Sequence, residues 1–308
     1  MRYTNYAFGV PEEKIIRVII DTDAKNEADD QFAIVHAVLS PKLEHVGFIA
    51  AHYGIDRHQD SMKRSFNELE TIFKKMQLPW DSLCIHGAER PMETKHECYT
   101  SEGSSLIVQE AMKDDPRPLN VLFLGPLTDL AAAYLQEPRI ANRLTAIWIG
   151  GGAYPSGGPE FNLGNDINAA NVVFSSPIAL WQVPKNVYEM MPVSFAELQQ
   201  RIYDKGEIGR YLFEQLNDHA HEPIPLSSTF RTGESWVLGD SPAVGLLLYE
   251  HRFSFDWVEA PLIGSEMQYI CTKLNRPIRV YRSIDSRLIL EDFYAKLSLF
   301  AEGQCKIL

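Results

Sequence analysis

The chain has 308 residues, of which 45% are hydrophobic and 23% charged, the composition of an ordinary folded protein able to bury a substantial core. Its 29 Lys and Arg stand against 41 Asp and Glu, a formal charge of −12 that disfavours binding to nucleic-acid phosphates or to an anionic membrane face. No apolar run approaches the ~20 residues that span a bilayer, and four widely spaced cysteines without a CxxC pair, following no basic-then-apolar leader, point to a reducing cytoplasm.

The first apolar run, 15–20, reads as a strand and is followed by a helix over 30–39. The pattern repeats with a strand over 45–51 and a helix over 61–76, then a helix over 105–112, a strand over 120–124 and a helix over 127–135. Strands over 145–149 and 178–183 come next, then a helix over 195–203, a short helix opening at Pro242, a strand over 279–282 and a closing helix over 286–299. Several strands are apolar throughout, which suits strands covered on both faces of a mainly parallel sheet. Strand then helix, repeated, predicts an α/β fold on an open, doubly wound sheet. No repeat, low-complexity tract or flexible linker divides the chain, so residues 1–308 are read as a single domain. Residues 217–235, with Pro223, Pro225 and two histidines but no periodicity, read as a mobile loop or short helical insertion beside the site.

The first strand runs into Asp21-Thr22-Asp23-Ala24-Lys25-Asn26-Glu27-Ala28-Asp29-Asp30, where five of ten residues are acidic. In doubly wound folds ligands bind beyond the carboxyl ends of the strands, which is where this cluster falls. So many anions in one turn repel one another unless a positive charge sits among them. Capping of the next helix by Asp29 or Asp30 accounts for one or two. A hard cation accounts for the rest, and calcium (Ca2+), with about six to eight oxygen ligands in loose geometry, matches a turn this long better than magnesium. A calcium loop of the EF-hand kind would need a Gly and a preceding helix that this turn lacks. A strand ending in Asp-x-Asp also opens the haloacid-dehalogenase-like phosphatases, with Asp21 as the nucleophile, and that reading stands as an alternative.

Taken with three later segments, the cluster resembles the nucleoside hydrolase family. The family's D-x-D-P-G-x-D-D keeps its four carboxylates here as Asp21, Asp23, Asp29 and Asp30, on a loop two residues longer. Leu124-Gly125-Pro126-Leu127-Thr128-Asp129-Leu130-Ala131 is similar to the family's G-P-L-T-N-x-A. Gly150-Gly151-Gly152-Ala153, Glu160-Phe161-Asn162, Asp166, Ala169 and Ala170 are similar to G-G-A…E-F-N-x-x-x-D-x-x-A-A. Trp236-Val237-Leu238-Gly239-Asp240-Ser241-Pro242-Ala243-Val244 resembles the late H-D-P-x-A segment.

The resemblance implies calcium-dependent hydrolysis of a ribonucleoside or related riboside, with calcium held by Asp23, Asp30, the Leu124 carbonyl and Asp240. It implies Asp23 as general base toward water, Asp29, Glu160 and Asn162 as contacts to ribose hydroxyls, and a cytoplasmic homodimer or homotetramer acting on a small molecule. It departs where the family's leaving-group acid is expected, because Gly239 stands in place of His. His52, at the end of the second strand, is the first substitute, ahead of His86, His219 and His221, and Trp236 is the candidate to stack on a base. These departures suggest a leaving group other than a standard purine or pyrimidine. A nucleoside- or sugar-binding protein without turnover is the alternative from another class.

Overall fold

In the computed structural model, which describes residues 1–55, 58–97, 99–221, 233–249 and 252–305, the first apolar run becomes strand β1 (Ile16–Thr22). Chain order continues with β2 (Leu43–Ala50), β3 (Cys84–His86), β4 (Leu119–Phe123), β5 (Leu144–Ile149), β6 (Ala179–Val183), β7 (Pro192–Ser194), β8 (Ser235–Val237), β9 (Phe255–Glu259), β10 (Leu262–Ile263), β11 (Tyr269–Ile270) and β12 (Pro277–Tyr281). The helices are α1 (Asp30–Val38), α2 (Ser61–Met76), α3 (Glu102–Met112), α4 (Thr128–Gln136), α5 (Phe161–Asn165), α6 (Ile167–Ser175), α7 (Lys185–Tyr188), α8 (Phe195–Ile202), α9 (Gly206–Ala220), α10 (Ser241–Tyr249) and α11 (Ser286–Cys305).

Eight strands form one sheet in the order β3-β2-β1-β4-β5-β6-β12-β9. All its pairings are parallel except β12 with β9. The apolar runs are explained by burial on both faces. Val18 and Ile20 of β1 point into a core shared with α1, α2, α10 and α11, while Ile19 points into a second core with α3, α4 and α6. Each such side chain, fully buried, contributes roughly 1.5–3 kcal/mol. The expected open, mainly parallel α/β sheet is therefore present. Its chain path leaves β1 toward β2 and β3 on one side and resumes with β4 on the other. That reversal opens a crevice at the carboxyl ends of β1 and β4.

Several features differ from the sequence reading. Helix α3 starts at Glu102, because Ser101 and Ser104 form a reciprocal capping box one turn earlier than the apolar periodicity suggests. Strands β3 and β9, a three-residue edge and an antiparallel edge, carry too short or too polar a pattern to stand out. Residues 217–220 belong to α9 rather than to a loop, and Ser235 opens β8; residues 222–232 lie outside the described residues. Helix α9 escapes the pattern because Gly206 and Gly209 weaken it. Gly209 is needed where it is, since a Cβ there would lie 2.3 Å from the carbonyl oxygen of Ile202. Among the described residues, Cys84 and Cys271 are free thiols, and no helix is long and apolar enough to cross a membrane.

Candidate active site

The crevice collects carboxylates from both ends of the chain. Asp23 follows β1, Asp29 and Asp30 open α1, and Asp240 precedes α10. All four are buried. One oxygen each from Asp29, Asp30 and Asp240 lie within 4.8 Å of one another, and the Asp240 amide donates to Asp29 Oδ2 at 3.2 Å. Thr22 Oγ1 donates to Asp30 Oδ1. Asp23 lies against the turn after β4, where a Cβ on Gly125 would sit 3.0 Å from its Cγ. A side chain there would crowd that carboxylate. Asp23 Oδ2 is buried without a hydrogen-bond partner.

Burial, followed by mutual repulsion, raises the pKa of Asp23 and Asp240 well above the ordinary carboxylate value. For Asp29 burial comes first and the charge of Glu27 second. Asp30 is pushed up to about 6, mainly by burial. A cluster held in this state binds either protons or a cation. Capping does not use up these oxygens, because Asp29 occupies the N-cap position of α1 without a side-chain cap bond.

The third and fourth motif segments supply positioning. Asn162 Nδ2 donates both hydrogens, to the Leu124 carbonyl at 2.7 Å and the Ile149 carbonyl at 2.9 Å. This clamps the ends of β4 and β5 together. The Leu124 carbonyl keeps one lone pair, and Asn162 keeps its Oδ1 as an acceptor. Glu160 is committed more completely. Its carboxylate accepts from the amides of Gly151 (2.7 Å), Leu163 (2.9 Å) and Asn162 (3.1 Å) and from the Tyr188 hydroxyl (3.1 Å). Four donors fill a carboxylate's lone-pair sites. Glu160 therefore caps α5 and holds Tyr188, a different task from the ribose contact expected of it.

His52 also has a different task. The Gly54 amide donates to its Nδ1 at 3.1 Å, which places the ring proton on Nε2, 2.8 Å from Thr128 Oγ1. Thr128 donates in turn to Asp166 Oδ2 at 2.8 Å. Burial lowers the His52 pKa to about 3. A neutral imidazole with both nitrogens engaged is a strut between the ends of β2, α4 and α6, and not an acid poised toward a departing base. Trp236 is buried, on β8 opposite Val193, with its ring edge-on to His219 at 5.5 Å; it packs into the core cluster and backs His219. His86 lies on edge strand β3 against Phe66, and the exposed His221 bonds the Asn217 carbonyl.

Asp21 is fully buried and faces Asp129, whose pKa is pushed up to about 6. Burial first, and this neighbouring charge second, raise the Asp21 pKa well above the ordinary carboxylate value. Asp129 also accepts from the Ala88 amide and the Ser101 hydroxyl. Fully buried against Asp129, Asp21 is not the accessible nucleophile that the phosphatase alternative requires.

Sequence reasoning missed Tyr188 and the cavity bordered by the longer loop. A Cβ on Gly239 would lie 3.1 Å from Tyr188 Cδ2 and 3.4 Å from Asp29 Oδ2, so the Tyr188 ring occupies the space beside Gly239. No motif marks Tyr188; only the glycine hinted at a filled neighbour. Lys25, Asn26 and Glu27 of the longer loop border a cavity of about 660 Å³ that also contacts Tyr53, Tyr211 and His219.

Comparisons with known proteins point to one family. Residues 18–287 match the family profile described as "Inosine-uridine preferring nucleoside hydrolase". The chain is 24% identical over 266 residues to the pyrimidine-specific ribonucleoside hydrolase RihA of Salmonella paratyphi B, covering 71% of this chain and 83% of that one. It is 25% identical over 299 residues to the probable uridine nucleosidase 2 of Arabidopsis thaliana, covering 80% and 91%. The solved structure of a purine-preferring ribonucleoside hydrolase from Gardnerella vaginalis superposes with a TM-score of 0.75 at 18% identity, over 93% of this chain and 99% of that one, which shows a shared fold.

Proposed function

The chain belongs to the inosine-uridine preferring nucleoside hydrolase family, and from that premise we propose calcium-dependent hydrolysis of the N-glycosidic bond of a ribonucleoside or related riboside. Membership makes it an N-ribohydrolase. The observation supporting a resident cation is the orphaned, buried Asp23 Oδ2 next to carboxylates whose oxygens lie within 4.8 Å of one another. Oxygen-only donors fit a hard cation. Asp23, Asp30, Asp240 and the Leu124 carbonyl would hold it, with Asp29 adjoining. When bound, calcium supplies Lewis acidity and lowers the pKa of a nearby water.

The chain's own groups perform the remaining work. Asp23 takes the proton of the attacking water. Asp29 and Asn162 Oδ1 accept from the sugar hydroxyls, and Glu160, through Tyr188 and α5, keeps that wall in place. A substrate lacking a hydroxyl leaves buried acceptors unpaired, at a cost of roughly 1–3 kcal/mol each. Ribonucleosides and their 2-deoxy counterparts, assayed with and without chelator, test this. Calcium-dependent release from ribo substrates and about tenfold or slower release from 2-deoxy ones is the expected result. Equal rates would remove the sugar clamp, and ribosyl binding without product would favour the binding-protein alternative.

Cytoplasmic residence, a homo-oligomeric state and one domain over residues 1–308 belong to the same reading. Light scattering and the number of thermal unfolding transitions test the last two.

A further inference from the structure

We propose that the leaving group accepted here is one that departs without receiving a proton, namely a heteroaryl ring already bearing positive charge, as in N-ribosylpyridinium compounds. The inference rests on the N-ribohydrolase reading and deepens it. Three observations converge. The position before Asp240 is Gly239, and the Tyr188 ring stands beside it with its phenol committed to Glu160. His52 has both ring nitrogens engaged with Gly54 and Thr128. Neither has a proton to offer a departing base.

The third observation is the cavity of about 660 Å³ beside the cluster. Glu27 joins the two, since it lines the cavity while its charge acts on Asp23, Asp29 and Tyr188. Tyr53 and Tyr211 contribute to the walls, and Glu214 and Asp218 stand at the exposed rim. Lys25, Arg64, His58 and His219 also line it; Lys25 pairs with Glu68 at 3.3 Å, Arg64 with Asp60 at 2.9 Å, and the His219 ring stands edge-on to Trp236. Aromatic faces combined with carboxylates recognise delocalised organic cations.

The chemistry balances without an acid. The water oxygen bonds to C1′ and its proton passes to Asp23. The C1′–N bond breaks with its electron pair moving to the ring nitrogen, which cancels the ring's charge. The products are ribose and a neutral heteroarene, and Asp23 returns one proton to solvent per turnover.

The calcium-loaded protein should be assayed in parallel on N-ribosylnicotinamide, uridine and inosine. The expected kcat/KM for the cationic riboside is at least about a hundredfold higher, with one proton released per turnover. Because such rings are intrinsically better leaving groups, binding is measured separately. 1-Methylnicotinamide should raise the melting temperature, whereas uncharged nicotinamide should not. Glu27→Gln should raise KM for the cationic riboside about tenfold more than KM for uncharged p-nitrophenyl riboside. Faster cleavage of uridine or inosine, particularly if His219→Ala abolishes it, overturns the inference and leaves the N-ribohydrolase reading intact. If no riboside is cleaved that reading fails, and equal binding of 1-methylnicotinamide and nicotinamide then overturns this inference on its own evidence.

Discussion

Removing a single carboxylate from the cluster should change stability in opposite directions with and without calcium. Asp23, Asp29, Asp30 and Asp240 all have raised pKa values in the fold. A carboxyl whose folded pKa is raised favours the folded state at low pH, and that contribution is lost as pH climbs from the unfolded value through the folded one. For Asp30 the interval runs from 3.8 to about 6, which at ~1.36 kcal/mol per pH unit is about 3 kcal/mol. In a chain of this size that is roughly 6 °C of melting temperature. The metal-free protein should therefore melt progressively lower between pH 4 and pH 7. Calcium should restore it, with a shift that grows with pH, because binding displaces protons. Asp240→Asn removes one of the four charges, so the metal-free variant should melt higher than the parent at pH 7 while its calcium shift largely disappears. Differential scanning fluorimetry over pH, with chelator or calcium, gives all four quantities. A calcium shift independent of pH, or an Asp240→Asn protein less stable than the parent in chelator, would refute the reasoning.

Gly125→Ala places a methyl 3.0 Å from Asp23 Cγ, and the overpacking should cost roughly 1–3 kcal/mol together with most calcium affinity, read by titration calorimetry. His52→Ala removes the strut to Thr128 and Gly54 and should lower stability by roughly 2–3 kcal/mol. The shape of the remaining pH–rate profile between about pH 5 and 9 should persist, because His52 titrates near about 3. Gly239→His should fit poorly against Tyr188, with a large loss of activity; combining it with Tyr188→Ala should recover stability, measured by urea unfolding, relative to the single variant.

The acidic end of the candidate site was legible because its chemistry is concentrated in one loop. Asp21 to Asp30 put five acids after a strand, and Leu124 and Asp240 fall in segments that resemble the family's order. What each residue bonds to was not legible, because it depends on which strand ends become neighbours. Asn162 could be singled out in its motif, but not its double donation to the carbonyls of Leu124 and Ile149. His52 was read as ending a strand and lies two residues past β2, yet its partners Thr128 and Asp166 lie 76 residues away and, through Thr128, a further 38. The strands with two buried faces announced themselves by apolar runs. Edge strands β3 and β9, which lack that double burial, did not.

The departures from the family pattern gather on one side of the site, and packing explains why they occur together. A histidine before Asp240 and the Tyr188 ring compete for the same space, so Gly239 and Tyr188 form a single choice. Tyr188 is fixed through Glu160, whose other donors come from the turn after β5 and the start of α5. The longer first loop brings Glu27 close enough for its charge to act on Tyr188 as well as on Asp29. Loop length, glycine and tyrosine thus reshape the leaving-group side together. On the acidic side Asp23, Asp29, Asp30 and Asp240 all remain, the carboxylates that under the proposed function hold the cation or adjoin it. Under the proposed function, chemistry at the sugar carbon and choice of leaving group would be carried by separate sets of contacts, which would allow the second to change while the first is kept.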